Sequence, residues 1–261
     1  MVLVNKNMRA YKEFTEEAII INVVPYREID CIVTFFSEKK GKLSGFAFGG
    51  LKSKRRFLGT LEKLNYVVIS YQEYKGYISL KEAALKKRFS GIYKDVNKLG
   101  MAINCIKFLV SVHKGPVDCE NIFKIVLDFL NTLDSKANIP FYFPLVFKAR
   151  LCSKYGYFPT LDKCLSCSKE IDSEGGVFFL KEKKIRCLRC AYKKRGGVYL
   201  SNSEIKKLSF VFGGSSFSLE KIRFDDKEVD KKKILFLLER FVNDTLGDFL
   251  KKETCKFALD T

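Results

Sequence analysis

Two pairs of cysteines have the spacing of a metal-binding site. Cys164-Leu-Ser-Cys167 and Cys187-Leu-Arg-Cys190 are CxxC motifs with nineteen residues between them. Each CxxC turn can place two thiolates on one side, so two such turns together offer the four sulfur ligands of a tetrahedral zinc site. Because four protein ligands leave no position for water or substrate, the pattern predicts one structural zinc ion. Two buried thiols or a redox-active dithiol are the alternatives.

The segment around the second motif is strongly basic. Between positions 181 and 195 it has eight basic residues against a single acid, Glu182. The eight are Lys181, Lys183, Lys184, Arg186, Arg189, Lys193, Lys194 and Arg195. Over the whole chain Lys and Arg outnumber Asp and Glu by 48 to 30, which gives a formal charge of +18. Such a protein attracts polyanions, and nucleic acid is the commonest polyanion of the cytoplasm. An anionic membrane would require a basic amphipathic helix or a lipidation motif, and we find neither in the sequence.

The sequence gives little support for catalysis. His113 is the single histidine, and its place beside a predicted helix end favours a capping or surface residue over a general base. The sequence has no nucleophile elbow, P-loop or dinucleotide-binding glycine motif. We therefore predict that the protein is not an enzyme.

Cysteine usage and hydropathy predict a cytoplasmic protein. The N-terminus does not resemble a signal peptide, and no run approaches eighteen apolar residues. Nine cysteines, four of them in metal spacing, are typical of a reducing compartment. The remaining five are predicted to be small core residues: Cys31, Cys105, Cys119, Cys152 and Cys255.

The first third of the chain has the pattern of a small β-barrel. β-branched and aromatic runs predict five strands at 18–24, 30–36, 42–48, 64–71 and 77–85. Short turns rather than helices separate them, which favours a closed barrel. An OB-fold and an SH3-like barrel fit this strand count equally well.

Helical periodicity begins after position 90. Apolar residues at helical spacing predict helices over 93–113, 119–133 and 143–155, with Gly156 ending the third. Ser201-Asn-Ser-Glu204 predicts a capping box at the start of a helix to position 212, and a last helix covers 230–250. The predicted class is α+β, with a barrel at 1–85, a helical domain at 86–160 and 198–261, and a zinc-finger insertion at 161–197.

This order of elements resembles the RecO recombination mediators of bacteria along nearly the whole chain. The segment "FKARLCSKYGYFPTLDKCLSC", which ends with the first CxxC, is the most specific match. "EEAIIINVVPYREIDCIVTFFSEKKGKLSGFAFGG" and "LKSKRRFLGTL" are similar to the family's opening strands and to its basic segment. Ser168 departs from a usual glycine, and extra residues over 178–186 lengthen the finger.

The resemblance implies a fold, an activity and partners. It implies an N-terminal OB-fold, a helical domain and a four-cysteine zinc finger in a bacterial, nucleoid-associated protein. The implied activity is binding of single-stranded and double-stranded DNA, strand annealing and loading of recombinase onto DNA coated by single-strand-binding protein. The implied protein partners are RecR and the acidic, apolar-tipped tail of single-strand-binding protein. An RNA-binding or transcription-associated zinc-ribbon protein remains the main alternative, and a zinc hydrolase a third.

An OB barrel offers a sheet face on which bases can stack while cations contact phosphates. The candidate cations lie on the first hairpin and just after the third strand: Lys39, Lys40, Lys42, Lys52, Lys54, Arg55 and Arg56. The candidate stacking residues are Tyr26, Phe46, Phe48, Tyr71 and Tyr74, although most aromatic residues of a chain belong to its core. Lys86-Lys87-Arg88 could extend the same groove or could simply be solvated. For the tail of single-strand-binding protein we expect a groove of Phe143, Val146 and Phe147 beside Lys148 and Arg150.

Overall fold

The N-terminal part of the protein is a closed five-stranded barrel. A computed structural model describes residues 11–113, 115–157, 159–192, 194–214, 217, 219–224 and 229–257. The strands are β1 (Lys12–Tyr26), β2 (Asp30–Ser37), β3 (Gly41–Ala47), β4 (Tyr66–Tyr74) and β5 (Tyr77–Lys87). They follow one another around the barrel in the order β1-β2-β3-β5-β4, and β4 pairs with β1 to close it.

One parallel strand pair decides which kind of barrel this is. β3 lies parallel to β5, with Phe46 opposite Ser79, whereas the other neighbouring strands are antiparallel. This five-stranded Greek-key order is that of an OB-fold. The predicted α+β class with an OB barrel is therefore confirmed, and the SH3-like alternative is wrong.

β1 is twice as long as the sequence predicted. Its first part pairs with β4 and its last part with β2, and Ala18 lies opposite both Val67 and Ser37. A shift of register between Ile20 and Asn22 bends the strand so that it can serve both neighbours. Its polar start was not recognised as a strand because Glu16 takes an inward position, where it is buried.

The connection between two helices packs on the barrel through the only histidine of the chain. His113 is buried, with its ring centre 4.8 Å from that of Phe36 and its Nε2 4.0 Å from the Cys119 sulfur. Gly41 has a φ of +73°, and a side chain there would place its Cβ 2.1 Å from the His113 Nε2. Gly41 is thus required both for its turn and for this close approach. His113 directly follows the end of a helix, as predicted, but the prediction that it lies at the surface is wrong.

We expect His113 to titrate below the ordinary histidine value of about 6.5. Burial and, secondarily, the charge of Lys42 lower the pKa of this imidazole. Below about pH 6.5 the unfolded chain therefore binds a proton that the folded protein resists, so stability should fall as the pH falls through this range. NMR titration of this single imidazole measures the pKa directly. Lys42→Met should raise the value, and a parent value at or above 6.5 would contradict the prediction.

The rest of the chain is helical, with a small sheet inserted. Its elements are α1 (Ser90–Tyr93), α2 (Val96–Val112), α3 (Cys119–Ser135), α4 (Phe143–Cys152), β6 (Gly176–Phe179), β7 (Lys184–Cys187), α5 (Leu188–Ala191), β8 (Val198–Leu200), α6 (Asn202–Gly213), α7 (Leu219–Ile222) and α8 (Lys231–Phe257). α4 precedes the inserted sheet in the chain, and it packs against α6 and α8, which follow the sheet. Phe129 is stacked on Phe143 with ring centres 5.0 Å apart and lies 4.4 Å from Phe147, at the centre of this core.

The helix ends differ from the predicted ones for local reasons. The expected helix 93–113 begins only at Val96, as α2, because the Asp95 carboxylate accepts the Asn97 N–H at 2.9 Å and starts the helix there. α4 ends at Cys152 and continues as a π-turn to Tyr157, in which Gly156 has a φ of +86°. The capping box is confirmed: the Ser201 hydroxyl accepts the Glu204 N–H, and the Glu204 carboxylate accepts the Ser201 N–H.

The chain divides into two compact units. The first contains the barrel to Ser90 together with His113–Phe123, and the second contains Gly91–Val112 and the chain from Lys124 onwards. The boundaries predicted at 85, 160 and 197 stay predictions. Within the described residues, no helix is both long and apolar enough to cross a membrane.

Candidate metal centre and nucleic-acid interface

The inserted sheet is a small ribbon that carries both CxxC motifs. β6 lies between β7 and β8, and Phe178, Phe179 and Ile185 are buried in its core. The first motif is in the turn that precedes the sheet. The second begins at the last residue of β7 and continues into α5. Antiparallel pairing thus brings the end of β7 back to the first turn.

The four cysteine sulfurs lie close enough to share one metal ion. All four lie within 4.8 Å of one another, and those of Cys167 and Cys187 are 3.9 Å apart. Metal–sulfur bonds of about 2.3 Å in a tetrahedron place the sulfurs about 3.8 Å apart. The Ser166 N–H points at the Cys164 sulfur, 3.4 Å away, as a donor to a thiolate does. The predicted ligands are therefore brought together, and the cluster could hold a metal ion.

The pKa values of the clustered thiols are consistent with a cation at their centre. Burial acts to raise the pKa of Cys164, but backbone N–H donors at Cys187, Cys167 and Ser166 lower it to about 6. Hydrogen bonds with the side chains of Cys187 and Cys167 raise the pKa of Cys190 to about 12. Without a cation, one thiolate therefore forms while a neighbour keeps its proton. A metal ion allows all four sulfurs to be ionised.

Several basic side chains of the ribbon make contacts within the ribbon or with the helical part of the protein. Arg186 and Lys194 both contact the Glu182 carboxylate, and both lie over the Phe179 ring. The Lys183 ammonium lies 4.3 Å from the centre of the Tyr157 ring and 3.4 Å from the buried Thr245 hydroxyl of α8. The Lys183 contacts brace the ribbon against the helices, whereas those of Arg186 and Lys194 lie within the ribbon. Lys193 lies outside the described residues. Among the described ribbon cations, Lys181, Lys184, Arg189, Lys194 and Arg195 are exposed.

The outer face of the barrel carries an apolar row across three strands. Val24 of β1 lies opposite Ile32 of β2, which lies opposite Phe46 of β3. Tyr26 and Phe48 flank this row. The ring centres of Tyr26 and Phe46 are 5.5 Å apart, and those of Phe46 and Phe48 are 6.1 Å apart. Tyr26, Phe46 and Phe48 thus form an aromatic row. Tyr26 is 39% exposed and Phe48 is 52% exposed, so ring faces of the aromatic row are open to a ligand.

The basic loop after β3 is fixed next to this row. Phe57 is buried in the barrel core, and the Ala83 N–H donates to the Arg56 carbonyl at 2.9 Å. The Arg56 guanidinium donates to the Phe48 carbonyl at 2.7 Å. Lys52, Lys54, Arg55 and Arg56 are all exposed. Four predicted cations therefore lie on one anchored loop that reaches the aromatic row.

The other three predicted cations lie at the β2–β3 turn and differ in environment. Lys40 forms an ion pair with Glu73 at 2.9 Å, and its ammonium lies 3.2 Å from the centre of the Phe14 ring. Lys39 and Lys42 are exposed. Lys42 and Phe46 point to the same side of β3, because residues four apart on a strand share a face.

Comparison with known proteins places the chain in a family. Residues 8–89 match the family described as Recombination protein O N terminal, and residues 93–254 match Recombination protein O C terminal. The chain belongs to the RecO family. The resemblance seen in the sequence is therefore confirmed.

Curated proteins from several bacteria are similar to this chain and carry the name DNA repair protein RecO. The protein of Solidesulfovibrio magneticus is 34% identical over 72% of this chain and 76% of its own length. That of Nitratidesulfovibrio vulgaris is 33% identical over 81% and 87%. That of Desulfatibacillum aliphaticivorans is 28% identical over 89% and 92%.

The other two proposed stacking residues of this RecO-family barrel, Tyr71 and Tyr74, differ in their environment. Tyr71 is 1% exposed, and its hydroxyl donates to the buried Glu16 carboxylate at 2.9 Å, so its prediction as a base contact is wrong. Burial and this hydrogen bond raise the pKa of Tyr71. Tyr74 is half-buried and packs on Tyr11, with ring centres 5.3 Å apart. Alternation along β4 sends Tyr71 inward.

Two residues on the same RecO barrel were missed by sequence reasoning. The Arg27 guanidinium lies 5.3 Å from the centre of the Tyr26 ring, in the β1–β2 turn. Tyr77 is 73% exposed and comes two residues before Ser79, the partner of Phe46, so it lies on the same face. Arg27 could have been predicted from the sequence, since it is a cation next to Tyr26 in a turn. Tyr77 could not, because its place on this face depends on a strand pairing that the sequence does not reveal.

The groove expected for the tail of single-strand-binding protein is wrong. Phe143, Val146 and Phe147 are fully buried in the helical core. Arg150 is fully buried as well, and its guanidinium is used by backbone carbonyls of α6. The helical spacing that suggested an accessible apolar face was that of a core helix.

The basic run at the end of β5 is paired within the barrel. Lys86 contacts the Glu17 carboxylate, and Arg88 pairs with Glu62 at 2.9 Å. Lys86 and, next, Tyr66 lower the pKa of Glu17 through hydrogen bonds. The charges of Lys86 and Arg88 are therefore paired within the barrel, and no ligand is needed to explain them.

Proposed function

We propose that this protein is a DNA repair and recombination mediator of the bacterial cytoplasm and nucleoid. It binds single-stranded DNA, anneals complementary strands and helps to load recombinase onto DNA coated by single-strand-binding protein. The observation that carries the proposal is the aromatic row of Tyr26, Phe46 and Phe48 beside four anchored cations. Membership of the RecO family supports it. We propose no catalytic step, because the mediator acts by binding.

In this proposal bases and phosphates bind to different parts of the barrel. Unpaired bases stack on Phe46 and Phe48, and phosphates contact the loop from Lys52 to Arg56. Stacking accepts any base, since every base has an aromatic face. A duplex keeps its bases stacked internally, so it would use the cations without the aromatic row. The face therefore suits single strands of many sequences.

We also propose that the metal is one structural zinc ion held by Cys164, Cys167, Cys187 and Cys190. When bound, zinc supplies a fixed tetrahedral centre and no open coordination position. The ribbon residues keep that centre attached to the helices through Lys183. We propose that the ribbon is a brace rather than a second DNA surface, because Arg186 and Lys194 are used in its own packing.

We propose two protein partners, RecR and the tail of single-strand-binding protein. The tail is acidic with an apolar tip, so it needs an exposed apolar side chain beside a cation. Phe141, which precedes α4, is 72% exposed, and the Lys231 ammonium lies 5.9 Å from the centre of its ring. This position meets the requirement that the buried face of α4 does not.

Annealing of coated strands tests the proposed function. Complementary DNA strands are covered with single-strand-binding protein, and duplex formation is followed by energy transfer between end labels. The purified protein should accelerate annealing, and it should bind single-stranded DNA of many sequences with comparable affinity. An absence of annealing together with a clear preference for RNA would favour the RNA-binding alternative.

Replacing Lys52, Lys54, Arg55 and Arg56 together by Ala should flatten the salt dependence of DNA binding. Each phosphate contact releases counterions, so the log–log slope on single strands should fall by roughly 0.7 for every phosphate that is no longer bound, or about 2 to 3 in total. The decrease in affinity should be equal for every sequence. Fluorescence anisotropy from about 50 to 200 mM salt measures both quantities.

Two matched variants separate the parts of this site. Phe48→Ala should weaken binding by roughly 1–3 kcal/mol at an unchanged salt slope, because it removes stacking and no charge. Replacing the exposed ribbon cations Lys181, Lys184 and Arg195 by Ala should alter the slope less per charge than the loop variant does. An unchanged slope in the loop variant would remove this loop from the DNA site, and equal effects per charge would make the ribbon a second DNA surface.

A further inference from the structure

A cleft next to the cysteine cluster is unlike the rest of this basic protein. Its volume is about 460 Å³, within the size range of ligand sites. It lies between the loop that follows the first CxxC motif and the helical turn that carries the second. Cys167, Cys187 and Cys190 form part of its lining. One wall of the cleft is thus the metal centre itself.

The cleft carries negative charge in a chain of formal charge +18. Its lining contains three carboxylates, Glu170, Asp172 and Glu174, and two cations, Lys169 and Arg189. A divalent metal held by four thiolates would contribute two further negative charges, so the lining and this centre together carry about −3. At physiological salt, charges further away than about 8 Å are largely screened. A ligand in the cleft therefore experiences this local charge rather than that of the whole protein.

An exposed leucine gives the same cleft an apolar contact. Leu188 lines it and is 39% exposed, although it directly follows the metal-binding Cys187. Leu165 has the corresponding place in the first CxxC motif and is 38% exposed. The second residue of each turn thus presents a leucine to solvent instead of to the ribbon core, which is formed by Phe178, Phe179 and Ile185.

The acidic side chains are directed to solvent. Glu170 and Glu174 are exposed, and within the described part of the chain neither carboxylate is placed in an ion pair. Asp172 differs, because its Oδ1 accepts the Glu174 N–H at 3.0 Å and so shapes the loop. The Tyr199 hydroxyl donates to the Glu174 carbonyl at 2.9 Å and attaches the loop to β8. Two carboxylates are thus held on a built loop and remain available to a ligand.

We propose that this cleft is a docking site for a basic, apolar peptide segment of a partner protein. A leucine-sized side chain contacts Leu188, and flanking lysine or arginine side chains pair with Glu170 and Glu174. Nucleic acid does not fit here, because the cleft and the metal centre repel phosphates. The site shares no residue with the aromatic row and basic loop of the barrel, so it does not depend on the proposed DNA function.

A synthetic peptide tests the proposal with the full-length, zinc-loaded protein. The probe is a fluorescein-labelled nonapeptide with a central leucine, two lysines or arginines on each side, and glycines at both ends. It should bind saturably with a dissociation constant at or below about 100 μM. A protein of this net charge repels a basic peptide in general, so saturable binding requires a local acidic site.

Variants of the protein locate the binding. The double variant Glu170→Gln, Glu174→Gln should weaken peptide binding at least tenfold. Leu188→Ser should weaken it by a similar factor. The matched control is Glu120→Gln with Glu239→Gln, which removes the same charge from two exposed positions elsewhere and should leave binding unchanged. The zinc content of each variant reports whether the ribbon is intact. If Leu188→Ser loses zinc, its peptide binding no longer reports on the cleft, and the test then depends on the variant that combines Glu170→Gln and Glu174→Gln.

Variants of the probe separate a peptide from other cations. A peptide with glycine for the central leucine should bind at least tenfold more weakly, and spermidine should not compete at equal concentration. Three results would each overturn the proposal: no saturable binding, binding that the Glu170 and Glu174 variant does not weaken, or full competition by spermidine with no effect of the leucine.

Discussion

Changing Cys187 to Ser should abolish the proposed zinc binding and unfold the ribbon, while the barrel stays folded. The sulfur of Cys187 is 3.9 Å from that of Cys167, so this change breaks the link between the two CxxC turns. Residues 161–197 form a segment near the roughly 40-residue limit below which a domain usually needs a metal or disulfides. Zinc contributes roughly 10–16 kcal/mol to the folding of comparable metal-bound peptides. The few buried side chains of the ribbon cannot replace that contribution.

Metal analysis and hydrogen exchange together measure this result. The parent protein should contain one zinc per chain, and Cys187→Ser should contain well under half an equivalent. Backbone amides of β6, β7 and β8 should lose protection from exchange, and those of β1 to β5 should keep it. Cys105→Ala is the control, because it removes a buried thiol from α2 that is not a ligand. Less than about half an equivalent of zinc in carefully purified parent protein would contradict the proposed metal.

The four-cysteine cluster was predictable because its information is local. Two CxxC motifs specify ligands, spacing and geometry within one short segment. The barrel strands were predictable for the same reason, but the choice of an OB-fold depends on the parallel contact between Phe46 and Ser79, which are 33 positions apart. Periodicity carries no information about such a pairing. Resemblance to a family supplied what periodicity could not.

The binding face was predicted in part, for a related reason. Tyr26, Phe46 and Phe48 are brought together because two strand pairings align them. Tyr71 has the same residue type as Tyr26, yet it is buried, because its position on β4 points inward. Aromatic composition indicates how many such residues exist, whereas the register of each strand decides which of them face solvent.

Arg150 gives the clearest case of a residue whose role the sequence hides. A cation at a helical position next to Lys148 suggested a surface. In the structure its Nε donates to the Val211 carbonyl at 3.0 Å, and its Nη2 donates to the Phe210 carbonyl at 3.2 Å. Both carbonyls belong to the last turn of α6, where the helix dipole favours a cation, and the Phe210 carbonyl also accepts the Gly214 N–H at 2.9 Å. Arg150 therefore joins α4 to the end of α6.

The buried charge of Arg150 is retained through its surroundings. Its guanidinium carbon is 4.2 Å from the centre of the Phe217 ring. Burial lowers the pKa of Arg150 to about 10, and the negative charge of Asp128 acts in the opposite direction. Asp128 is itself fixed, because it accepts the Phe217 N–H at 2.6 Å. The arginine is therefore charged at neutral pH and is held in place by these partners.

Replacing Arg150 by Ala should destabilise the protein by roughly 3–5 kcal/mol, the cost of removing one partner from a buried charged network. The change leaves a cavity, a half-buried Asp128 without a nearby cation and the Val211 carbonyl of α6 without its arginine donor. Urea unfolding followed by circular dichroism measures the decrease in stability, and the melting temperature should fall by on the order of 10 °C. Arg150→Lys should recover only part of it, since an ammonium keeps the charge but not the planar fork that reaches both carbonyls.

A neighbouring residue provides the matched control for this prediction. Lys148 is on the same helix and is half-buried, with its ammonium 5.4 Å from the centre of the Phe108 ring. Lys148→Ala should cost less than about 1 kcal/mol, as is usual for a partly exposed cation. Both variants should keep their zinc, because neither residue touches the cysteine cluster. If Arg150→Ala and Lys148→Ala were equally stable, the guanidinium would not be what joins α4 to α6, and aromatic packing around Phe217 alone would hold these helices together.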